Sequence, residues 1–77
     1  MYYVYILRLV NGEYYIGFSS NFKQRLSDHQ NNIISQTKNL KPQLVFYCAF
    51  RSKIKALHFE KYLKTGSGFA FRNKHLI

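Results

Sequence analysis

Residues 2 to 9 are apolar on both alternating sets of positions, Tyr3, Tyr5, Leu7 and Leu9 on one and Tyr2, Val4 and Ile6 on the other. A strand apolar on both faces is one covered on both, so this pattern predicts a central strand. Asn11-Gly12 is a hairpin signal and 13 to 18 reads as the returning strand. Asn21 followed three residues later by Gln24 resembles a capping arrangement and opens a helix over about 22 to 31. In that helix Phe22 and Leu26 face the core, and Arg25 and His29, four apart, share a neighbouring stripe. The stretch from 30 to 42 is polar and turn-rich, ends in the one proline, and reads as a loop. A second apolar run at 43 to 50 predicts a third strand, in which Tyr47 and Phe50 are core residues and Cys48 is a small buried filler. Ser52 caps a helix from about 53 to 64 that Thr65-Gly66-Ser67-Gly68 stops, and a short helix over 69 to 75 closes the chain.

The hairpin has two readings with different consequences. A two-residue loop at Asn11-Gly12 puts Tyr5 and Tyr15 on opposite faces of the sheet, because side chains alternate along a strand. A three-residue loop, Val10-Asn11-Gly12 with Gly12 left-handed in a bulge, sets Leu7 opposite Tyr15 and Tyr5 opposite Gly17. Both tyrosines then share a face, and Gly17 leaves space beside Tyr5 for a substrate or another side chain. The three-residue version is expected, since only it allows a shared tyrosine site.

Composition narrows the partner. Seventy-seven residues predict one small domain over 1–77, in which function sits on the scaffold itself. Seven Tyr and seven Phe supply a compact core, which excludes a disordered chain. The opening apolar run meets Arg8 far short of the roughly 20 residues a membrane helix needs and carries no cleavage signal, so a cytoplasmic protein without a membrane role is expected. Twelve Lys and Arg against three acids give a net charge of +9, the electrostatic footprint of a nucleic-acid binder. Among the lysines, Lys38 is a candidate phosphate contact, as are Lys41, Lys53 and Lys55, although single lysines are more often solvated charges.

Scarcity of acids makes Glu60 conspicuous. It lies four residues after Ala56 and three before Leu63, interrupting the apolar stripe of a Lys-studded helix, so it needs a cation. One reading is a buried ion pair with Arg25 or a lysine. The other is a ligand for a hard divalent ion such as Mg²⁺, which keeps several waters and uses one or two carboxylates with substrate phosphate oxygens. A two-metal site needs more acids than this chain brings together, since Glu13 is at the turn and Asp28 points away from the Arg25 stripe. Gly66-Ser67-Gly68 reads as a helix stop before an anion-cradling nest.

The ordered set Tyr3-Val4-Tyr5, Tyr15-Ile16-Gly17, Arg25, His29 and Glu60 resembles the GIY-YIG endonucleases, over nearly the whole chain and without the leading glycine of the first motif. The stretch Phe59 to Gly68 is similar to the short single-domain bacterial members, and the whole is similar to the nuclease half of the UvrC repair enzyme. The resemblance implies an α/β domain of the α+β type, a three-stranded antiparallel sheet flanked by helices. It implies a metal-dependent DNA endonuclease in which Glu60 holds one Mg²⁺ or Mn²⁺, Arg25 contacts the scissile phosphate, and Tyr5 and Tyr15 lie beside it, with Tyr5 helping to activate the attacking water. A phenol is a poor base near neutral pH unless cations favour its phenolate, and Arg25 with a metal is expected to supply that field. His29 is a proton relay, a phosphate contact, or a helix-surface histidine packing on Phe22 or Leu26. Asn73 matches a late family asparagine or is a surface or capping residue. The implied partner is DNA, double-stranded or branched, with specificity left to DNA shape, a protein partner or dimerisation. The alternatives are a basic, non-catalytic nucleic-acid-binding module on the same scaffold and a structural partner of an acidic protein.

Overall fold

A computed structural model describes residues 1–77. The elements run β1 (Tyr2–Arg8), β2 (Tyr14–Ser19), α1 (Phe22–Gln30), β3 (Gln43–Phe50), α2 (Lys53–Leu63) and α3 (Gly66–His75). The sheet is antiparallel throughout, in the order β2-β1-β3, so the strand apolar on both sides is central, as its pattern requires. The fold is therefore the expected three-stranded antiparallel sheet with flanking helices.

β1 sends alternate side chains into two different cores. Val4 and Ile6 join Ile16 of β2 and Ala56 and Leu63 of α2. Tyr5, Leu7 and Leu9 face the other way, against Tyr15, Phe22, Leu26, Leu40 and Leu44. The hairpin takes the three-residue form: the Leu9 N–H donates to the Glu13 carbonyl at 2.9 Å, and the Gly12 N–H donates to the Leu9 carbonyl at 3.0 Å. Gly12 has φ +87°, a conformation that costs a residue without Cβ little. Tyr5 accordingly sits opposite Gly17 and Leu7 opposite Tyr15, placing both tyrosines on one face.

Side-chain caps set the helix starts. Asn21 accepts from the Gln24 N–H at 3.4 Å, and Ser52 accepts from the Lys55 N–H at 3.2 Å. The second helix stops where expected, with Lys64 as its C-cap, but the last helix starts three residues earlier than expected: Gly66-Ser67-Gly68 form the first turn of α3 and Thr65 caps it. Thr65 accepts from the Gly68 N–H at 3.1 Å, and its hydroxyl donates to the Tyr62 carbonyl at 2.7 Å. This capping of one helix on the end of the other engages the Gly68 N–H that a nest would need, and the glycines fall in the first turn, where weak helix propensity is tolerated.

Two side chains of β3 also depart from the sequence reading. Cys48 is half-buried rather than enclosed, and burial still pushes its thiol up. Tyr47 is not core: it is 55% exposed, because β3 is an edge strand and α1 covers only part of that face. The 30-to-42 segment is irregular as expected but anchored. Ile34 and Thr37 are buried, the Leu40 carbonyl accepts from the Val10 N–H at 2.8 Å, and the Asn39 N–H donates to the Asn32 side chain at 3.1 Å.

Candidate functional site

Four of the sequence-selected side chains meet on the α1 side of the sheet. The Tyr5 hydroxyl lies 2.9 Å from His29 Nε2, and His29 Nδ1 lies 2.8 Å from Thr37 Oγ1, with all three residues fully buried. Thr37 Oγ1 donates to the Ile34 carbonyl at 3.5 Å, which leaves its oxygen to accept from His29 Nδ1–H. Assigned from this network, the proton sits on Nδ1, and bare Nε2 accepts from the Tyr5 O–H. Burial, reinforced by the Arg25 charge, pushes His29 below its ordinary range, so the imidazole is neutral near pH 7. The expectation of a helix-surface or phosphate-contacting His29 fails here, because both ring nitrogens are engaged and no surface is exposed. Relay geometry remains.

Tyr15 packs its ring edge-on to His29 at 4.8 Å and tilted to Tyr5 at 6.3 Å. The Arg25 guanidinium is held charged above its ordinary value, first by interaction with the Tyr5 phenol and also by Tyr15. The field at Tyr5 differs from the sequence expectation. Burial and then the neighbouring Tyr15 outweigh Arg25 and push the Tyr5 phenol up to about 12, so this chain's own charges do not favour a phenolate. Space beside Gly17 is likewise filled rather than open: a Cβ there would run into the Tyr5 ring at Cζ and the hydroxyl. Glycine is needed so that the Tyr5 ring can lie flat across the neighbouring strand and reach His29, and Gly17 offers no contact surface to a substrate.

Glu60 approaches from the opposite side. It extends from α2 close enough to contribute to the rise of the Tyr5 phenol, and it pairs with Lys64 at 3.3 Å one turn along, not with Arg25. Its side chain is 18% exposed and that of Lys64 54% exposed, so the pair is a partly solvated contact with an exposed lysine rather than a closed ion pair. Lys64 and Tyr15 line a groove of about 640 Å³ between the hairpin and α3, which Asn73 also lines. Asn73 is exposed and accepts from Arg72 Nε at 3.1 Å, while the Arg72 guanidinium lies over the Tyr14 and Phe69 rings, fastening α3 to β2. Lys38 is exposed in the turn segment beside Thr37.

The donor set decides which cation fits. No three His, Cys, Asp or Glu side chains gather, so a thiolate or imidazole metal has no cage. One partly exposed carboxylate with a displaceable ammonium partner fits a hard, mostly hydrated divalent ion that takes its remaining ligands from water and phosphate.

Sequence reasoning missed Thr37, which fixes the imidazole. The signal available was the spacing Ile34, Thr37, Leu40, three residues apart in an otherwise polar loop. The Thr37 N–H donates to the Ile34 carbonyl and the Leu40 N–H to the Thr37 carbonyl, each at 3.1 Å, and these successive turns bring the three to the inner side.

With this arrangement in place, the chain belongs to the GIY-YIG family: the model of the GIY-YIG catalytic domain matches residues 1–74. The chain is also similar to the UPF0213 protein BH0048 from Bacillus halodurans, whose solution NMR structure is 30% identical. That match covers 83% of this chain and 71% of that one, with a TM-score of 0.54. No curated protein matches. No helix is long and apolar enough to cross a membrane.

Proposed function

We propose that the protein is a divalent-metal-dependent endonuclease cutting a DNA phosphodiester bond at the Tyr5–Tyr15–Arg25–His29 cluster, with Glu60 of α2 acting from the other side. The observation that carries this reading is the Tyr5 hydroxyl bonded to a neutral, buried His29, with Tyr15 packed edge-on to the same imidazole and the Arg25 charge near enough to act on both His29 and Tyr5. A structural histidine needs no phenol and arginine beside it. Membership in a family of nuclease domains and a charge of +9 support a nucleic acid as substrate. Double-stranded or branched DNA is the form expected.

In this mechanism Arg25 binds a non-bridging phosphate oxygen and Tyr15, half-buried at the rim, hydrogen-bonds the same group. Tyr5 is the inner member. As water attacks phosphorus, its proton passes to the Tyr5 oxygen while the Tyr5 proton passes to His29 Nε2. The phenol thus stays neutral throughout, which avoids ionising a group pushed up to about 12. Water reaches Tyr5 once the phosphate draws Arg25 and Tyr15 outward. Thr37 is a positioning residue: by accepting from Nδ1–H it keeps Nε2 free for the proton. Glu60 would hold one Mg²⁺ or Mn²⁺, which when bound neutralises charge developing on the phosphate and leaving oxygen. Asn73 and Lys38 steady the flanking DNA, and a protein partner is one source of specificity.

The second reading, a basic binder that no longer cuts, draws on the Glu60–Lys64 pair, which gives the carboxylate one cationic partner from within the protein. One experiment separates the two. Purified protein with Mg²⁺ or Mn²⁺ is expected to nick supercoiled or branched DNA, and Glu60→Gln to bind the same DNA while cutting at least 100-fold more slowly. Cutting by Glu60→Gln at the wild-type rate would remove Glu60 from the site, and binding without any cutting by the wild type would establish the second reading.

A further inference from the structure

At the β3 side of α1, three rings stack outside the proton-transfer cluster. Phe22 lies 5.3 Å from Tyr3 at an interplanar angle of 18° and 5.1 Å from Tyr47 at 30°. These rings, with Ser20, Asn21 and Lys23, line an open groove of about 460 Å³. None of the lining residues is acidic, and Lys23 is exposed in the first turn of α1. Tyr47 keeps 55% of its surface in solvent. Phe22 also packs on Tyr5 at 5.4 Å, so the groove begins one ring contact from the residue whose hydroxyl faces His29. Leu44, which shares the face, is more buried than Tyr47, so the outer ring of the stack lies beyond the core that Phe22 joins.

We infer that the Phe22–Tyr47 groove is a subsite for an unpaired nucleobase next to the scissile phosphate, making single-stranded flaps or splayed junction strands the favoured substrates over intact duplex. This rests on the nuclease reading and deepens it. A base has a flat π-face that stacks on an exposed aromatic ring whatever its sequence, and Lys23 supplies the cation for the adjoining phosphate. In a continuous duplex both faces of each base are already stacked, so the platform gains nothing there. An open ring beside a basic side chain thus selects unpaired strands without reading sequence, which suits a chain whose charge already supplies general affinity.

The test uses the full chain, labelled DNA in two forms, a duplex with a single-stranded thymidine flap and a blunt duplex of the same length, and Ca²⁺ in place of the catalytic ion. Tyr47→Ala is expected to bind the flapped probe roughly 5- to 100-fold more weakly than the wild type, with little change on the blunt duplex. The chain contains no Trp, so Tyr47→Trp places a single indole in the groove. That variant is expected to keep wild-type affinity and to lose fluorescence when the flapped probe binds. Equal affinity of Tyr47→Ala and wild type for the flapped probe, equal loss on both probes, or an indole indifferent to the flap would each overturn the subsite. So would loss of concentration-dependent self-association in Tyr47→Ala without loss of flap affinity, which would assign the patch to a second copy. If Tyr47→Ala does not fold, the Tyr47→Trp signal decides alone. Indole quenching in a wild-type background that never cuts DNA would sink the nuclease reading and leave the subsite standing.

Discussion

The two faces of β1 are built by neighbouring residues and differ in almost every physical respect. On the α2 side, Val4 and Ile6 meet Ile16, Ala56 and Leu63 in a dry apolar layer whose stability comes from area removed from water. On the α1 side, the strand offers Tyr5 to His29 and Thr37, and every buried polar atom there has a partner. A satisfied polar network holds its members in one geometry, at some cost in desolvation relative to apolar packing. One face therefore keeps the protein folded, and the other fixes where a proton sits. A seven-residue strand does both because its side chains alternate.

Substitutions on the two faces should separate these roles. Tyr5→Phe keeps the ring but strands His29 Nε2 without its donor. We expect cleavage to fall by about 100-fold or more, measured as the single-turnover rate on saturating enzyme, with a stability loss of only about 1–2 kcal/mol. An unchanged rate would remove Tyr5 from the chemistry. Leu63→Ala on the other face should do the reverse. It should cost about 2–5 kcal/mol by urea denaturation, while the rate per folded molecule stays within a factor of a few. Should both variants lose rate and stability in the same proportion, the division of labour between the faces is wrong.

The smallest effect is in the pH dependence of stability, and it belongs to the α1 side alone. His29 is pushed down in the folded state, so below its ordinary value of about 6.5 the unfolded chain takes up the proton first. Stability is full above that value and falls as pH drops through the window down to the depressed folded value. Tyr5 is raised from 10.0 to about 12, so its contribution is complete below 10 and is lost as pH climbs toward 12. Urea midpoints across pH should show both limbs, and Tyr5→Phe should flatten the alkaline one. An alkaline limb unchanged in Tyr5→Phe would assign it to other tyrosines.

Much of this was legible along the chain. The doubly apolar run fixed β1 as central, the three-residue hairpin put Tyr5 and Tyr15 on one face, and the ordered Tyr, Arg, His and Glu positions pointed to the family. Local spacing governs the first and last of these, through strand alternation and the four-residue stripe of α1, whereas Asn11-Gly12 admitted two registers and only the demand for a shared tyrosine site chose between them. What sequence reasoning could not see depended on which surfaces meet. Whether Tyr47 is covered is decided by how far α1 reaches across the sheet, and the order of β3 at an edge is not written in its apolar run. Thr37 joins the network because the irregular segment folds back under the sheet, a contact between residues eight apart that no periodicity announces. The lysine that pairs with Glu60 and the field at the Tyr5 hydroxyl belong to the same class. Chain-local order sets which chemistry is available, and tertiary packing sets its charge state, because burial and neighbouring charges act through space and not along the backbone.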